Sequence, residues 1–471
     1  MTNLVDLFID LAKCIRNLDK DFKNRSPHIR VKSPKKSISN ITIGYIYYPK
    51  TTFVSSRVFL DNFMNQLSDF VKVITIPIDL AKDDFGKLKE LNIDYFYADI
   101  SNFSVWPFVL RERHQIDIPF LIILHTVYDW ARELTCIIPL IKEEDVIIAP
   151  SDYAKLSFLK ISRKFNPKVI PHCLDIRNIQ NSIANLPKVS RKTITFLGRL
   201  IESKGIGVLI QCMPEIIQKV GNVHLNIIGP LSGSSLTNYP KSSYVKYLEK
   251  QVRELGLSSN VHFRGIETGL TKYVTLAESD LLVNPTTYLG ETFTIVNLEA
   301  MAAGLPVVTT EWAANAELIK EGKNGYLVDV HYSNEDKPSV DTRQLIFSIV
   351  KILTNKELNQ KMKMYSRKTA LKYDCNKLMP QLIKLLKKAR ITGKDRWDLI
   401  KDKQPKDFKN LYEKRMLFYF SFLDWHKVNY SQGFNAIANG FVAEEKKSNL
   451  LSTGSEKKAY KDLWEYLCKI G

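Results

Sequence analysis

The chain has 471 residues, of which 45% are hydrophobic and 25% charged, a composition typical of soluble globular proteins with two or three domains. No apolar run approaches the roughly 18 residues that a membrane-spanning helix needs, and no secretory signal is visible at the start of the sequence. The formal net charge of +18 favours an acidic partner such as a phosphorylated molecule, nucleic acid or anionic lipid.

The first segment, residues 1–39, is predicted to be an amphipathic helix followed by a loop. Apolar residues recur at three- or four-residue steps over residues 3–23, and residues 24–39 are rich in Ser, Pro and Lys. The polar face of the helix mixes acidic and basic residues, whereas membrane-surface helices are more purely basic. Docking of this helix on the body of the protein is therefore favoured over membrane binding.

Strand and helix signals then alternate, which indicates a parallel sheet with helices on both faces. A helix is predicted over residues 56–67. The strands predicted in this part are Ile41–Tyr47, Val71–Ile76, Tyr95–Ala98, Phe120–Leu124 and Val146–Ala149. Together they predict a Rossmann-like domain over residues 40–184, followed by a connector at residues 185–192 that contains a proline and several basic residues.

The same alternation restarts after the connector and predicts a second Rossmann-like domain over residues 190–375. The predicted strands are Thr193–Leu197, Val223–Ile228, Val261–Phe263, Leu281–Val283, Leu305–Val308 and Tyr326–Val328. Two doubly wound domains in tandem predict a cleft between them, with a ligand at the carboxyl ends of the strands. The fold class is thus α/β.

The C-terminal part is basic and helical in pattern. Leucines at helical spacing predict one long helix over residues 365–391. Residues 351–410 hold 18 Lys and Arg against 6 Asp and Glu, which makes this window a candidate contact for anionic membrane or nucleic acid. No nucleic-acid-binding motif accompanies it, so nucleic acid is disfavoured. Residues 392–471 are predicted to form a mostly helical extension; they contain three tryptophans, and no role is assigned to them.

Six cysteines are spread along the chain without metal-ligand spacing. They are Cys14, Cys136, Cys173, Cys212, Cys375 and Cys468. Isolated thiols are typical of a reducing compartment, so the sequence predicts a cytoplasmic protein with free thiols and no metal site. The basic charge adds the inner face of the membrane as a candidate place of peripheral contact.

Residues 290–310 carry two carboxylates eight positions apart, Glu291 in a loop and Glu299 on the helix that follows. Gly304 is expected to end this helix, which places Glu291 at its mouth and Glu299 about two turns further in, on roughly the same face. A helix N-terminus attracts anions, and carboxylates bind hydroxyl groups. A sugar nucleotide offers both, a diphosphate for the amides and hydroxyls for the acids.

This segment resembles the signature of retaining glycosyltransferases of the GT-B fold, in particular glycosyltransferase family 4. Their motif is Glu, seven residues and Glu, followed by a Gly-Leu-Pro-Val-Val-like strand, as in residues 304–308 here. The resemblance implies two tandem Rossmann-like domains facing a cleft, with a terminal helix at residues 376–391 crossing back to the first domain. It also implies that Glu291 contacts the donor sugar and that Glu299 binds the ribose hydroxyls.

A second motif follows the strand Thr193–Leu197, in the turn Gly198 to Gly205, which contains Arg199 and Lys204. Transfer from a nucleotide sugar must stabilise a leaving diphosphate, and Arg, Lys and helix amides can do so without an obligatory metal. The turn resembles the family's Gly-Arg-Leu…Lys-Gly motif, whose basic pair binds the diphosphate. Arg199 and Lys204 are therefore candidate catalytic and donor-binding residues, together with the amides of Thr292, Phe293 and Thr294.

In the first domain, His125 follows the predicted strand Phe120–Leu124. The family has a histidine in this setting, close to the donor sugar, and His125 is the corresponding candidate, with a structural histidine as the alternative. Two departures from the family accompany it. His172 and Cys173 stand where many members have Asn and Gly, and residues 47–56 lack the glycine pair that approaches the donor phosphates and the acceptor.

The resemblance implies a retaining hexosyltransferase whose co-substrate is a UDP- or GDP-hexose and whose acceptor is a glycan, glycolipid or polysaccharide. It also implies a front-face mechanism. A glycosidase would use two carboxylates as well, but it would not need Arg199 and Lys204. From a different class, a non-catalytic GT-B module could bind nucleic acid or anionic membrane through residues 351–410. The nucleotide, including ADP, the sugar and the acceptor stay open at this point.

Overall fold

The computed structural model describes residues 30–35, 39–47, 54–77, 91–99, 111, 118–125, 141–161, 165–186, 191–231, 242–288, 290–332 and 338–389. The helix predicted over residues 3–23 and the extension 392–471 lie outside these ranges. The same holds for three of the six cysteines and for most of the segment 47–56.

The first sheet has seven strands in the order β1-β3-β2-β4-β5-β6-β7. Its strands are β1 Arg30–Lys32, β2 Thr42–Tyr47, β3 Lys72–Pro77, β4 Tyr95–Asp99, β5 Phe120–Ile123, β6 Val146–Ala149 and β7 Lys168–Val169. All neighbours pair in parallel except β1, which pairs antiparallel with β3. Three helices of this part are α1 Val54–Ser68, α2 Asp152–Ile161 and α3 Ile176–Ser182.

Strand β1 corrects the prediction of a loop over residues 24–39. Val31 pairs with Ile74, and this three-residue strand forms one edge of the sheet. It was missed because it is short and flanks its single apolar residue with basic ones. Short, charged strands are typical of sheet edges, where they discourage pairing with another chain.

The second sheet has six parallel strands in the order β10-β9-β8-β11-β12-β13. They are β8 Lys192–Leu197, β9 Val223–Ile228, β10 Val261–Gly265, β11 Leu281–Asn284, β12 Val307–Thr310 and β13 Gly325–Val328, and a hairpin of β14 Val330–Tyr332 and β15 Pro338–Val340 follows. The helices are α4 Ile206–Val220, α5 Ser243–Glu254, α6 Gly269–Ala277, α7 Ile295–Ala303, α8 Asn315–Leu318, α9 Thr342–Thr354 and α10 Lys356–Ala370. This is a doubly wound order whose switch point lies between β8 and β11.

The prediction of one continuous helix over residues 365–391 is wrong. Helix α10 ends at Ala370, a 3₁₀ turn spans Leu371–Tyr373, and a new helix α11 covers Cys375–Ala389. Asp374 separates them with an extended backbone, and its carboxylate accepts the amides of Arg177 and Asn376. Hydrophobic spacing could not reveal this break, because it depends on the distant amide of Arg177.

Helix α11 packs against the first sheet. Its buried side chains Leu378, Leu382 and Leu386 belong to the same core cluster as residues of β2, β4 and α1. The Tyr95 hydroxyl donates to the carbonyl of Leu386 at 2.9 Å. The end of the described chain is thus tied to the domain with which it begins.

Candidate active site

The predicted motifs of the second domain meet at its switch point. Strands β8 and β11 are hydrogen-bonded neighbours, and both run in the same direction. Gly198 follows β8 directly, and the loop that carries Glu291 follows β11. Because the carboxyl ends of parallel strands share one edge, this edge is where a doubly wound domain binds its ligand.

Lys204 and Glu291 form an ion pair across this edge, with side chains only 12% and 8% exposed. The Thr286 hydroxyl lies 3.1 Å from the same Glu291 oxygen and donates to it. An ammonium, a carboxylate and a hydroxyl are therefore gathered at one point. Together they can hold an anion and orient a hydroxyl group.

The turn that carries Lys204 is locked against the loop after β11. The amide of Thr287 donates to the Ser203 carbonyl at 2.8 Å. Gly205 has a φ of 71°, and a Cβ at this position would lie 2.1 Å from the Pro285 carbonyl oxygen. Only glycine therefore permits this left-handed turn so close to the neighbouring backbone.

Tyr288 contacts both predicted phosphate-binding cations. The Arg199 guanidinium lies 4.8 Å and the Lys204 ammonium 4.9 Å from the centre of its ring. A cation near an aromatic face is attracted by the ring quadrupole, so Tyr288 holds the two charges near each other. No pattern in the sequence singled out Tyr288, because the contact joins segments more than 80 residues apart in the chain.

The four residues Glu291–Thr294 that precede helix α7 are all buried, and Thr294 adopts a left-handed conformation with φ 53° and ψ 63°. A β-branched residue there is strained. Its hydroxyl donates to the Asn315 side chain at 2.7 Å and does not cap the helix. Because the helix begins at Ile295, Glu299 lies little more than one turn inside it, which corrects the expected two turns.

Glu299 forms a second ion pair, separate from that of Glu291. The Lys272 ammonium lies 2.5 Å from its carboxylate, with side chains 14% and 12% exposed. Burial and the nearby Glu299 charge raise the pKa of Tyr273, so this tyrosine remains protonated. Lys272 and Tyr273 on α6 thus surround the acid that the resemblance assigns to the ribose.

His125 of the first domain meets the same segment. Its carbonyl accepts a hydrogen bond from the Thr292 hydroxyl, and its Nδ1 lies 3.2 Å from Nε2 of His172. The His172 ring in turn packs edge-on to Phe293, with centroids 5.3 Å apart. The two domains are thus joined directly beside the Lys204–Glu291 pair.

Both histidines are neutral at physiological pH. Burial lowers the pKa of His125 from 6.5 to about 4. Burial also lowers the pKa of His172 well below its ordinary value, and the neighbouring His125 adds to this effect because two cations would repel. The pair can donate and accept hydrogen bonds without bringing charge into the cleft.

A further contact between the domains involves Glu317 of α8. Its carboxylate accepts the amides of Asp152 and Tyr153 at 3.0 and 2.7 Å, at the start of α2. Burial raises the pKa of this carboxyl, and the two amide bonds oppose that effect. An acid from the second domain therefore satisfies the first amides of a first-domain helix.

The structure brings together Lys204, Glu291 and Arg199 around Tyr288, and it places Thr292 and Phe293 against the two histidines. Glu299 lies in its own pair with Lys272, and Thr294 faces the buried amide of Asn315. Sequence reasoning missed Tyr288 and Lys272. It noted His172 only as a departure from a family pattern.

The described part of the chain contains no helix long and apolar enough to cross a membrane. Over the same residues, no three His, Cys, Asp or Glu side chains are grouped as metal ligands would be. Cys173, Cys212 and Cys375 are buried and form no disulfide bond, and burial raises the pKa of Cys212 to about 12.

The fold is GT-B, and the comparisons with known proteins agree with it. Residues 178–369 match the family model described as glycosyl transferases group 1. A solved structure of Anabaena Alr3699/HepE in complex with UDP and glucose is similar with a TM-score of 0.56 at 18% identity, over 74% of this chain and 100% of that one. Residues 178–369 are thus similar to glycosyl transferases group 1, and the fold is similar to that of the HepE structure.

Two curated relatives are similar in sequence. Spore coat protein SA of Bacillus subtilis is 32% identical over 184 residues, 38% of this chain and 44% of its own. The phosphatidyl-myo-inositol mannosyltransferase of Mycobacterium leprae is 26% identical over 229 residues, 48% and 54% of the two chains. The chain spans about half the length of the curated relatives it matches. None of these comparisons favours a non-catalytic module over an enzyme.

Proposed function

We propose that the protein is a retaining glycosyltransferase of family 4 that transfers a hexose from a nucleotide-diphosphate sugar to a hydroxyl group of an acceptor. The observation that carries the proposal is the partly buried Lys204–Glu291 pair at the switch point of the second domain, with Arg199 beside it. The family match over residues 178–369 supports it. So do a mycobacterial relative named a mannosyltransferase and a structural neighbour that holds UDP and glucose.

In the proposed donor complex, Arg199 and Lys204 bind the diphosphate, and the amides of Thr292, Phe293 and Thr294 at the start of α7 assist them. Two fixed cations and a helix N-terminus match the charge of a diphosphate. The proposal therefore needs no obligatory metal. Glu299 binds the ribose hydroxyls of a UDP- or GDP-hexose, with Lys272 orienting its carboxylate.

The proposed chemical step occurs on one face of the sugar. The bond between the anomeric carbon and the leaving phosphate oxygen breaks, and the acceptor oxygen bonds to the same face. The acceptor's proton passes to that phosphate oxygen. Arg199 and Lys204 stabilise the charge that develops on the diphosphate, Glu291 orients the sugar, and His125 borders the anomeric carbon.

The proposed acceptor is a glycan or a lipid-linked molecule. The basic helices α10 and α11 lie within residues 351–410, the window that the sequence marks as a contact for anionic membrane. Peripheral contact at the inner face of the membrane would bring a lipid-linked acceptor to the cleft. Residues 390–410 of the same window lie outside the described residues.

The test is turnover of nucleotide sugars by the purified protein. UDP-, GDP- and ADP-hexoses are supplied without acceptor, and release of free nucleotide is followed for the wild type and Glu299→Ala. Slow hydrolysis of one donor that depends on Glu299 supports the proposal and identifies the donor. The proposal is contradicted if no donor is hydrolysed and no nucleotide raises the melting temperature of the protein.

The stereochemical part of the proposal has its own test. Proton NMR of the sugar first released from an α-linked donor reports its anomeric configuration before mutarotation. Retention predicts the α anomer. Initial release of the β anomer shows inversion and contradicts the retaining mechanism while leaving the transferase activity in place.

A further inference from the structure

Two histidines at the domain boundary are joined by a hydrogen bond that the proposed chemistry leaves unexplained. His172 is buried, and the ring centroids of His125 and His172 lie 5.0 Å apart with planes crossing at 66°. The 3.2 Å between His125 Nδ1 and His172 Nε2 is close to the usual upper end of N–H hydrogen bonds in proteins. One of these nitrogens therefore carries a hydrogen, and the other accepts it.

Proton counting leaves two arrangements. A neutral imidazole carries a hydrogen on one ring nitrogen only. If His125 donates from Nδ1, its Nε2 is a bare acceptor. If His172 donates from Nε2, His125 accepts at Nδ1 and carries its hydrogen on Nε2. In the second arrangement both rings adopt the Nε2–H tautomer, which free neutral histidine prefers in water.

We propose that His172 is a positioning residue whose Nε2–H donates to Nδ1 of His125 and fixes His125 as the neutral Nε2–H tautomer. The role of this tautomer rests on the proposed function, in which His125 borders the donor sugar. With a hydrogen on Nε2, His125 is at that atom a donor to a sugar oxygen, and it does not act there as a base.

The donor-binding segment supports both members of this pair. Phe293 packs edge-on against the His172 ring at an angle of 82°, and Thr292 donates to the carbonyl of His125. Both residues directly follow Glu291. The proposed donor-binding segment therefore holds both histidines, His172 through its ring and His125 through its backbone carbonyl.

Three substitutions at position 172 separate a positioning role from simple packing. His172→Phe keeps an aromatic ring against Phe293 and removes the donor. His172→Asn keeps an amide that is too short to reach His125. His172→Gln has a longer amide whose N–H can donate to Nδ1. Melting temperatures establish which variants fold. If either His172→Phe or His172→Asn fails to fold, the other still tests the loss of the hydrogen bond to His125.

The first readout is the tautomer of His125, from long-range proton–nitrogen NMR correlations of protein labelled at histidine, with His125→Gln assigning the signal. We expect the wild type to carry the hydrogen on Nε2. We expect His172→Phe and His172→Asn to show a mixture of both tautomers and His172→Gln to restore the single Nε2–H tautomer. A hydrogen on Nδ1 in the wild type, or an unchanged tautomer in the Phe and Asn variants, overturns the proposal.

The second readout is kinetic. The loss of one orienting hydrogen bond is expected to lower kcat about tenfold with the donor KM nearly unchanged, and His172→Gln is expected to recover most of it. A fall in kcat with an unchanged tautomer shows packing alone and overturns the proposal. If the wild type turns over no nucleotide sugar, the proposed function fails, whereas the NMR result still decides the tautomer.

Discussion

The ammonium of Lys204 and the carboxylate of Glu291 neutralise each other across the carboxyl ends of β8 and β11. Each charge is thus compensated inside a partly buried site, which avoids an unpaired buried ion. A bound diphosphate would compete with Glu291 for Lys204. Donor binding would then release the Glu291 carboxylate toward the sugar hydroxyls, so that one exchange of partners prepares both halves of the site.

This exchange predicts opposite effects of Glu291→Ala on two measurements. Turnover of the donor is abolished because the sugar loses its orienting acid. Binding of the free nucleoside diphosphate is kept or becomes tighter, because Lys204 no longer has a competing carboxylate. Calorimetric titration and a turnover assay check this, with Glu215→Ala as the control, since Glu215 pairs with exposed Lys219. Weaker nucleotide binding by Glu291→Ala contradicts the exchange.

Tyr288 is predicted to matter through its ring. Tyr288→Phe keeps the aromatic face near Arg199 and Lys204 and should bind nucleoside diphosphate as the wild type does. Tyr288→Leu removes that face, and affinity should fall about 5- to 30-fold, the equivalent of roughly 1–2 kcal/mol for a partly desolvated cation–π contact. Dissociation constants of the three proteins decide the matter. Equal losses in the Phe and Leu variants would assign the effect to the hydroxyl.

Gly205 and Gly256 form a matched pair for testing the close turn. Both have left-handed backbones, with φ of 71° and 67°, but a Cβ at Gly205 meets the Pro285 carbonyl whereas a Cβ at Gly256 meets nothing within 4 Å. Gly256→Ala should cost about 1 kcal/mol of unfolding free energy, and Gly205→Ala about 2–5 kcal/mol because a steric clash is added to the strain. Denaturant unfolding measures both. Equal costs would show that the turn after β8 has room to relax.

The neutral His125 predicts a specific acid sensitivity. Unfolded His125 takes up a proton near pH 6.5, whereas in the folded protein it does so only near pH 4. The folded state therefore binds fewer protons between these values, and its stability falls as pH decreases from about 6.5 to 4, by on the order of 1–3 kcal/mol. His125→Gln should show a shallower decline over this window. If the melting temperatures of the two proteins fall equally from pH 7 to 4, the depressed pKa of His125 is contradicted.

Local sequence patterns predicted most of the strands and helices of the fold. The eleven strands that were predicted agree with the observed ones to within two residues, because buried parallel strands are short apolar runs bounded by turns. The short strands β1, β7, β14 and β15 were not predicted. The end of helix α7 was also predicted, since Gly304 adopts φ 89° where the helix stops. The break at Asp374 was not, because its amide partner lies almost 200 residues away in the chain.

Some residues of the candidate site were likewise predictable from local sequence, and others were not. Glu291, Glu299, Arg199 and Lys204 were found from short motifs, since each motif is contiguous and resembles a family signature. Their partners were not. Tyr288 and Lys272 join the site only through tertiary contacts, which residue spacing within one segment cannot predict. His172 is visible in the sequence as a departure from a motif, but its contact with His125 requires the fold.

The most direct measurement is calorimetric titration of UDP and GDP into the wild type, Lys204→Ala and Lys219→Ala. Lys219 is an exposed lysine of α4 paired with Glu215, so its removal subtracts the same charge away from the cleft. We expect the wild type and Lys219→Ala to bind one of these nucleotides alike, and Lys204→Ala to lose binding while it remains folded. Equal binding by all three proteins would contradict a diphosphate site at the Lys204–Glu291 pair.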